Sequence, residues 1–155
     1  MNAKQQGFTL VELVVVIVIL GILAATALPR FITVTSEART AAVNGMAGGL
    51  RAAVAVSQAR YFATGTNTSP ITMADGTSVV VGTLTAAQGV PTGQTTGIGA
   101  AMNCGAVATE CNGFTVALNT GATASTFFPS GGNATDCRAS YLDTTGAVAV
   151  ITTGC

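Results

Sequence analysis

Hydrophobic and polar positions are spread unevenly along the 155 residues. From Leu13 to Leu28 the sequence reads LVVVIVILGILAATAL, sixteen residues without a charge. The wider stretch Phe8–Pro29 has 22 residues and one ionisable side chain, Glu12. At about 1.5 Å per residue, such a helix is about 32 Å long, enough for a bilayer core of about 30 Å. It is apolar on every side, a surface that a protein this small cannot bury in its own core. Within it, Gly21 and Pro29 bracket the stretch where the helix most easily kinks or melts, since both weaken helical structure.

After Arg30 the pattern changes. Val43, Met46, Ala47, Leu50, Val54, Ser57 and Gln58 recur at helical spacing, while Arg39, Arg51 and Arg60 fall largely elsewhere. This predicts an amphipathic helix to about Ala63, its apolar stripe forming the floor of a core. Gly45, Gly48 and Gly49 each cost a helix about 1 kcal/mol against Ala and read as places where another backbone packs closely. Taken as one helix, Phe8 to Phe62 spans 55 residues and about 80 Å, half of it outside the head. Gly65, Asn67 and Pro70 end it.

Strand-like runs follow at Ser78–Val81, Phe114–Leu118, Arg138–Leu142 and Ala147–Thr152, rich in Val, Thr, Phe and Tyr and bounded by turn residues. Asp143–Gly146 reads as a hairpin loop between the last two. Residues 84–113 read as loop with a short helix near Thr85–Gln88. The expected fold is α+β, a long N-terminal helix, apolar in its first half, packed on a small antiparallel sheet. The expected segments are a leader at 1–7, an apolar helix at 8–29, its amphipathic continuation at 30–63 and a globular head at 64–155.

Composition narrows the chemistry. Hydrophobic residues make up 49% and charged residues 8%, six Lys+Arg balance six Asp+Glu, and His and Trp are absent. Without His there is no Ser-His triad and no His-ligated metal. The acids outside the apolar run form no close pair, and no calcium loop, phosphate loop or basic strip for nucleic acid is present. No enzyme activity, metal or cofactor is expected. Cys104, Cys111, Cys137 and Cys155 all lie in the second half, an even number that suits an exported, oxidised domain. Of three possible pairings, Cys104–Cys111 and Cys137–Cys155 close the shortest local loops. The second ties the C-terminal hairpin across its open end.

A secretory signal or a plain membrane anchor explains the apolar run but not Glu12 inside it. The order Gly7, Phe8, Thr9, Leu10, Val11, Glu12, followed by LVVVIVILGILAATALPRF, closely resembles the signal of type IV prepilins. Among them it resembles the mannose-sensitive haemagglutinin group, strongly over residues 7–31 and only in architecture beyond. The resemblance implies cleavage between Gly7 and Phe8 by a prepilin peptidase and N-methylation of Phe8. It implies that Glu12 meets the Phe8 amine of a neighbouring subunit during assembly, an intra-chain i,i+4 pair being the alternative. In a filament, a melted Gly21–Pro29 stretch lets the helix lengthen and bend.

The function so implied is a structural subunit of a type IV pilus, a helical homopolymer that mediates adhesion. Its partners are copies of itself, the prepilin peptidase and the inner-membrane pilus assembly platform, with host or surface glycans as candidate receptors and no nucleic acid. Its location is the inner membrane before assembly and the extracellular filament afterwards. The alternatives are a major pseudopilin of type II secretion and a membrane-anchored exported binding domain.

Overall fold

A computed structural model describes residues 8–105, 109–119 and 124–155, apart from the side chains of 28–33. Its contacts divide into two compact units, one up to Glu37 and one from Ala38 to Cys155. Helix α1 is Leu10–Thr64, without a break at Gly21 or Pro29. In the first unit, the window Leu10–Ala27 is long and apolar enough to cross a membrane, and none of it is buried within the chain. Leu13, Ile17, Leu20 and Leu23 are all more than half exposed. Water is a poor solvent for such a surface, so a bilayer or other apolar helices must cover it.

In the second unit the helix has a core of its own. Val43, Met46, Ala47, Leu50, Val54, Ser57 and Tyr61 are buried at helical spacing. Val43 to Val54 share a core with Phe127, Ala139, Tyr141, Cys111 and Val116 from the sheet, while Tyr61 joins Ile71, Val79 and Val81 in a second cluster. Among the described residues, no backbone of this same chain packs closely on the helix glycines. A Cβ at Gly45 or Gly48 meets nothing within 4 Å, and one at Gly49 meets only the Met102 side chain. The helix ends at Gly65, whose positive φ of 65° suits a residue without a Cβ.

The arginines beside the stripe take an unforeseen role. Arg39 donates to the Cys155 carbonyl at 3.5 Å, Arg51 to Val148 at 3.2 Å and Arg60 to Thr72 at 2.8 Å. Each guanidinium reaches off the helix and satisfies a main-chain acceptor in the surrounding loops and strands.

The main sheet is antiparallel and runs in chain order. Its strands, counted after a small ribbon of β1 (Ile71–Thr72) and β2 (Ser78–Val79), are β3 (Glu110–Cys111), β4 (Phe114–Ala117), β5 (Ser125–Pro129), β6 (Arg138–Leu142) and β7 (Ala147–Ile151). In register, Thr115 faces Phe128, Phe127 faces Ala139 and Tyr141 faces Val148. Four of these seven strands lie where the sequence pattern put them, each ending one or two residues early or on the expected residue. The central strand β5 and the short β1 and β3 were not anticipated. The helix expected at Thr85–Gln88 is a turn closed by Ala87 N–H to the Leu84 carbonyl. A π-helical turn stands instead at Thr95–Gly99.

Candidate functional site

Thr9 and Glu12 form a closed local unit at the start of α1. The Thr9 N–H donates to Glu12 Oε2 at 2.8 Å, the Thr9 hydroxyl donates to the same oxygen at 2.8 Å, and the Glu12 N–H returns to Thr9 Oγ1 at 3.3 Å. This is a capping box, in which residues three apart satisfy each other's orphan donors at a helix N-terminus. The helix dipole adds to it, since a carboxylate in the first turn faces partial positive charge. Glu12 stands out in the sequence as a charge among apolar residues, while Thr9 does not. The signal was present, because Thr-x-x-Glu ahead of an apolar run is the pattern of a capping box.

The arrangement bears on where the Glu12 charge goes. The open alternatives were a partner subunit's amine and an intra-chain amine. In the uncleaved chain, where Phe8 carries no free amine, Thr9 holds one oxygen of the carboxylate. Phe8 is 92% exposed. Gly7, the expected cleavage position, lies outside the described residues, as does the Pro29 side chain. At Gly21 a Cβ would meet open space, so the position is accessible to a neighbouring surface.

The other named residues are far along the chain. Cys104 joins Cys111, and Cys137 joins Cys155, with Cα separations of 4.4 and 4.7 Å. The second bridge spans strand β7, and Arg39 and the Gly154 N–H, which donates to Asp136, fasten the same end. Nearby, the segment Pro91–Gly93 is clamped from the sheet. Tyr141 donates to the Pro91 carbonyl, the Gly93 N–H donates to Asp143 at 3.0 Å and Ser125 donates to the Gly93 carbonyl at 3.2 Å. Burial, and then the Asp143 charge, push the Tyr141 hydroxyl well above its usual range. These groups are tied to the Pro91–Gly93 main chain. Among the described residues, no group of three or more His, Cys, Asp or Glu is placed to hold a metal ion.

Comparison with known proteins bears on the N-terminal segment. Residues 2–28 match the family model described as the prokaryotic N-terminal methylation motif. Over 54 residues the chain is 48% identical to the type IV narrow pilus major component PilA5 of Thermus thermophilus, covering 35% of this chain and 47% of that protein. Over 84 residues it is 40% identical to a fimbrial protein of Moraxella nonliquefaciens, covering 53% and 51%. The type IV major pilin protein PilE1 of Neisseria gonorrhoeae is 48% identical over 54 residues, covering 35% and 33%. The chain thus spans about half or less of the length of these curated relatives. No solved structure matches. The apolar helix, its capped acidic residue and the matching motif define the class, a protein with a type IV pilin N-terminus. By this segment the chain is similar to type IV pilins, and its head has the α+β architecture expected from the sequence.

Proposed function

We propose that this chain is the structural subunit of a type IV pilus of the haemagglutinin-pilin kind, acting by self-polymerisation and without catalysis. One observation carries the reading. The chain pairs a self-sufficient head with a helix whose whole apolar surface is left uncovered, and that helix begins at the methylation motif. Such a subunit is stable alone only in a membrane and gains its filament by exchanging lipid contacts for copies of itself. Contacts of this head-to-tail kind, when they do not close into a ring, generate open helices.

The resulting path starts with a precursor in the inner membrane. A prepilin peptidase cuts between Gly7 and Phe8 and Phe8 is N-methylated. The assembly platform then feeds subunits into an extracellular filament that adheres to surfaces, with glycans as receptors. Support comes from relatives whose names are those of major pilins and fimbrial proteins. The test is the intact mass of the protein in sheared filaments. It is expected to match a chain starting at N-methyl-Phe8, and Gly7→Leu is expected to leave uncut precursor in the membrane. Filaments built from chains that keep residues 1–7, or no filaments at all, would defeat the reading.

A further inference from the structure

A cavity of about 310 Å3 opens between the β1–β2 turn and the end of the Thr95–Gly99 turn. Its size is at the lower end of small-molecule sites. The walls are largely apolar, from Met73, Ala74, Ala100 and Ala101, with Asp75 and Asn103 adding polar groups. Met73, Ala100 and Ala101 also pack on the buried cluster of Tyr61, Ile71, Val79 and Val81, so the walls rest on a fixed base. Asp75 is the single charged residue in the lining. Arg60, on the neighbouring helix, gives its Nε to the Thr72 carbonyl and does not line the cavity.

Asp75 is held in place by its own turn. The Thr77 N–H donates to Oδ1 at 2.9 Å, and the carboxylate stays exposed to solvent. The same N–H, and then the Thr77 hydroxyl, hold the carboxyl below its usual range, so it is ionised at neutral pH. An anionic ligand would be repelled by this carboxylate. A sugar would want several hydrogen-bond partners, but the Thr77 hydroxyl is already turned to Asp75 and only Asn103 remains beside it. A purely apolar ligand would make no use of the exposed carboxylate. A cation on an aliphatic stem meets both features, since such side chains bury the stem on apolar surface and keep the charged head at the rim.

We propose that this cavity receives a primary ammonium on an aliphatic stem, the chemistry of a lysine side chain or of a free alkylamine. The site is built wholly within the head and does not depend on polymerisation. It gives the head one place where a basic partner docks.

The full chain in non-ionic detergent, labelled at its methionine methyls, provides the test. Met73 reports the cavity and Met46, buried in the main core, reports the fold. The probes are Nα-acetyl-lysine N-methylamide, n-pentylamine and the uncharged Nα-acetyl-norleucine N-methylamide. The expected result is a saturable Met73 shift with either amine, at a Kd of about 1–10 mM, and none with the norleucine probe. Asp75→Asn keeps the turn's acceptor and is expected to weaken binding about fivefold. Ala101→Leu fills the cavity and is expected to abolish the shift while Met46 stays unmoved. Tighter binding of the lysine probe assigns the site to protein side chains, and tighter binding of pentylamine assigns it to free amines. No saturation with either amine, equal binding of the norleucine probe, or indifference to Asp75→Asn overturns the proposal.

Discussion

Two buried tyrosines separate a hydroxyl that works from one that does not. Tyr141 donates to the Pro91 carbonyl, whereas the Tyr61 hydroxyl is buried with no partner among the described residues. Removing a donor from a buried acceptor costs about 1–3 kcal/mol, while removing an unsatisfied hydroxyl costs nothing in hydrogen bonding. Tyr141→Phe is therefore expected to lower unfolding free energy by about 1–3 kcal/mol, and Tyr61→Phe to leave it unchanged or raise it. Denaturant unfolding of the two variants checks this, and equal losses would contradict it. The alkaline side carries a second signature. The folded-state value of Tyr141 lies above its unfolded value of about 10, so its contribution is complete below that pH. It is lost as pH rises toward the folded value, because the unfolded chain releases the proton more readily. Tyr141→Phe is expected to flatten the fall in stability above about pH 10. A slope equal to that of the parent would show that other groups cause it.

At the scale of elements, periodicity found what repeats and missed what turns on single contacts. The helix stripe was legible because seven buried residues recur at one spacing over five turns. Strand β5 was not, because the inward positions of Ser125–Pro129 begin with a serine. Ser125 is fully buried yet satisfied, accepting from the Asn119 N–H and donating to the Gly93 and Asn119 carbonyls. Strand β3 is only two residues long, but its hairpin carried a readable signal. Asn112 and Gly113, between Cys111 and Phe114, both have positive φ, the conformation of a tight two-residue hairpin turn. The turn at Thr95–Gly99 had no such signal, since it depends on Gly97 lying against Thr92. In the functional region, Glu12 stood out as a charge among apolar residues, while Thr9 was hidden by its ordinary character.

The C-terminal hairpin gives an element-scale prediction. Strand β7 is an edge strand, fastened by the Cys137–Cys155 bridge, by Arg51 and by Arg39. Replacing both cysteines with Ser is expected to cost about 2–5 kcal/mol. Arg51→Met frees the Val148 carbonyl to water and is expected to cost less than about 1 kcal/mol. Unfolding of the full chain in detergent measures both. A bridge variant as stable as the parent would show that β7 is held by packing alone.

For the whole molecule, the separation into two units decides how assembly is tested. The head keeps its core, its bridges and its hydrogen bonds within residues 38–155, while Glu12 and the apolar helix surface belong to the other unit. A change at Glu12 is therefore expected to act on assembly and to spare the fold of the head. In the isolated chain, the Glu12 carboxylate is capped by Thr9 through solvent-exposed hydrogen bonds. Such a cap softens the cost of a carboxylate near the end of a membrane helix, and is weak enough to be exchanged. A buried charge left without its partner costs about 3–5 kcal/mol, so a subunit docked out of step is rejected by more than the cap can restore. We propose that the amine of an incoming Phe8 selects the register in which it meets Glu12. Glu12→Val is expected to leave leader cleavage and head folding intact and to reduce sheared pili at least tenfold. Glu12→Gln, which keeps hydrogen bonding and loses the charge, is expected to fall between. Cleaved pilin in the membrane and pilin in sheared filaments are to be measured side by side, with the variant as the only pilin in the cell. Normal piliation with Glu12→Val would leave Glu12 a helix cap and nothing more.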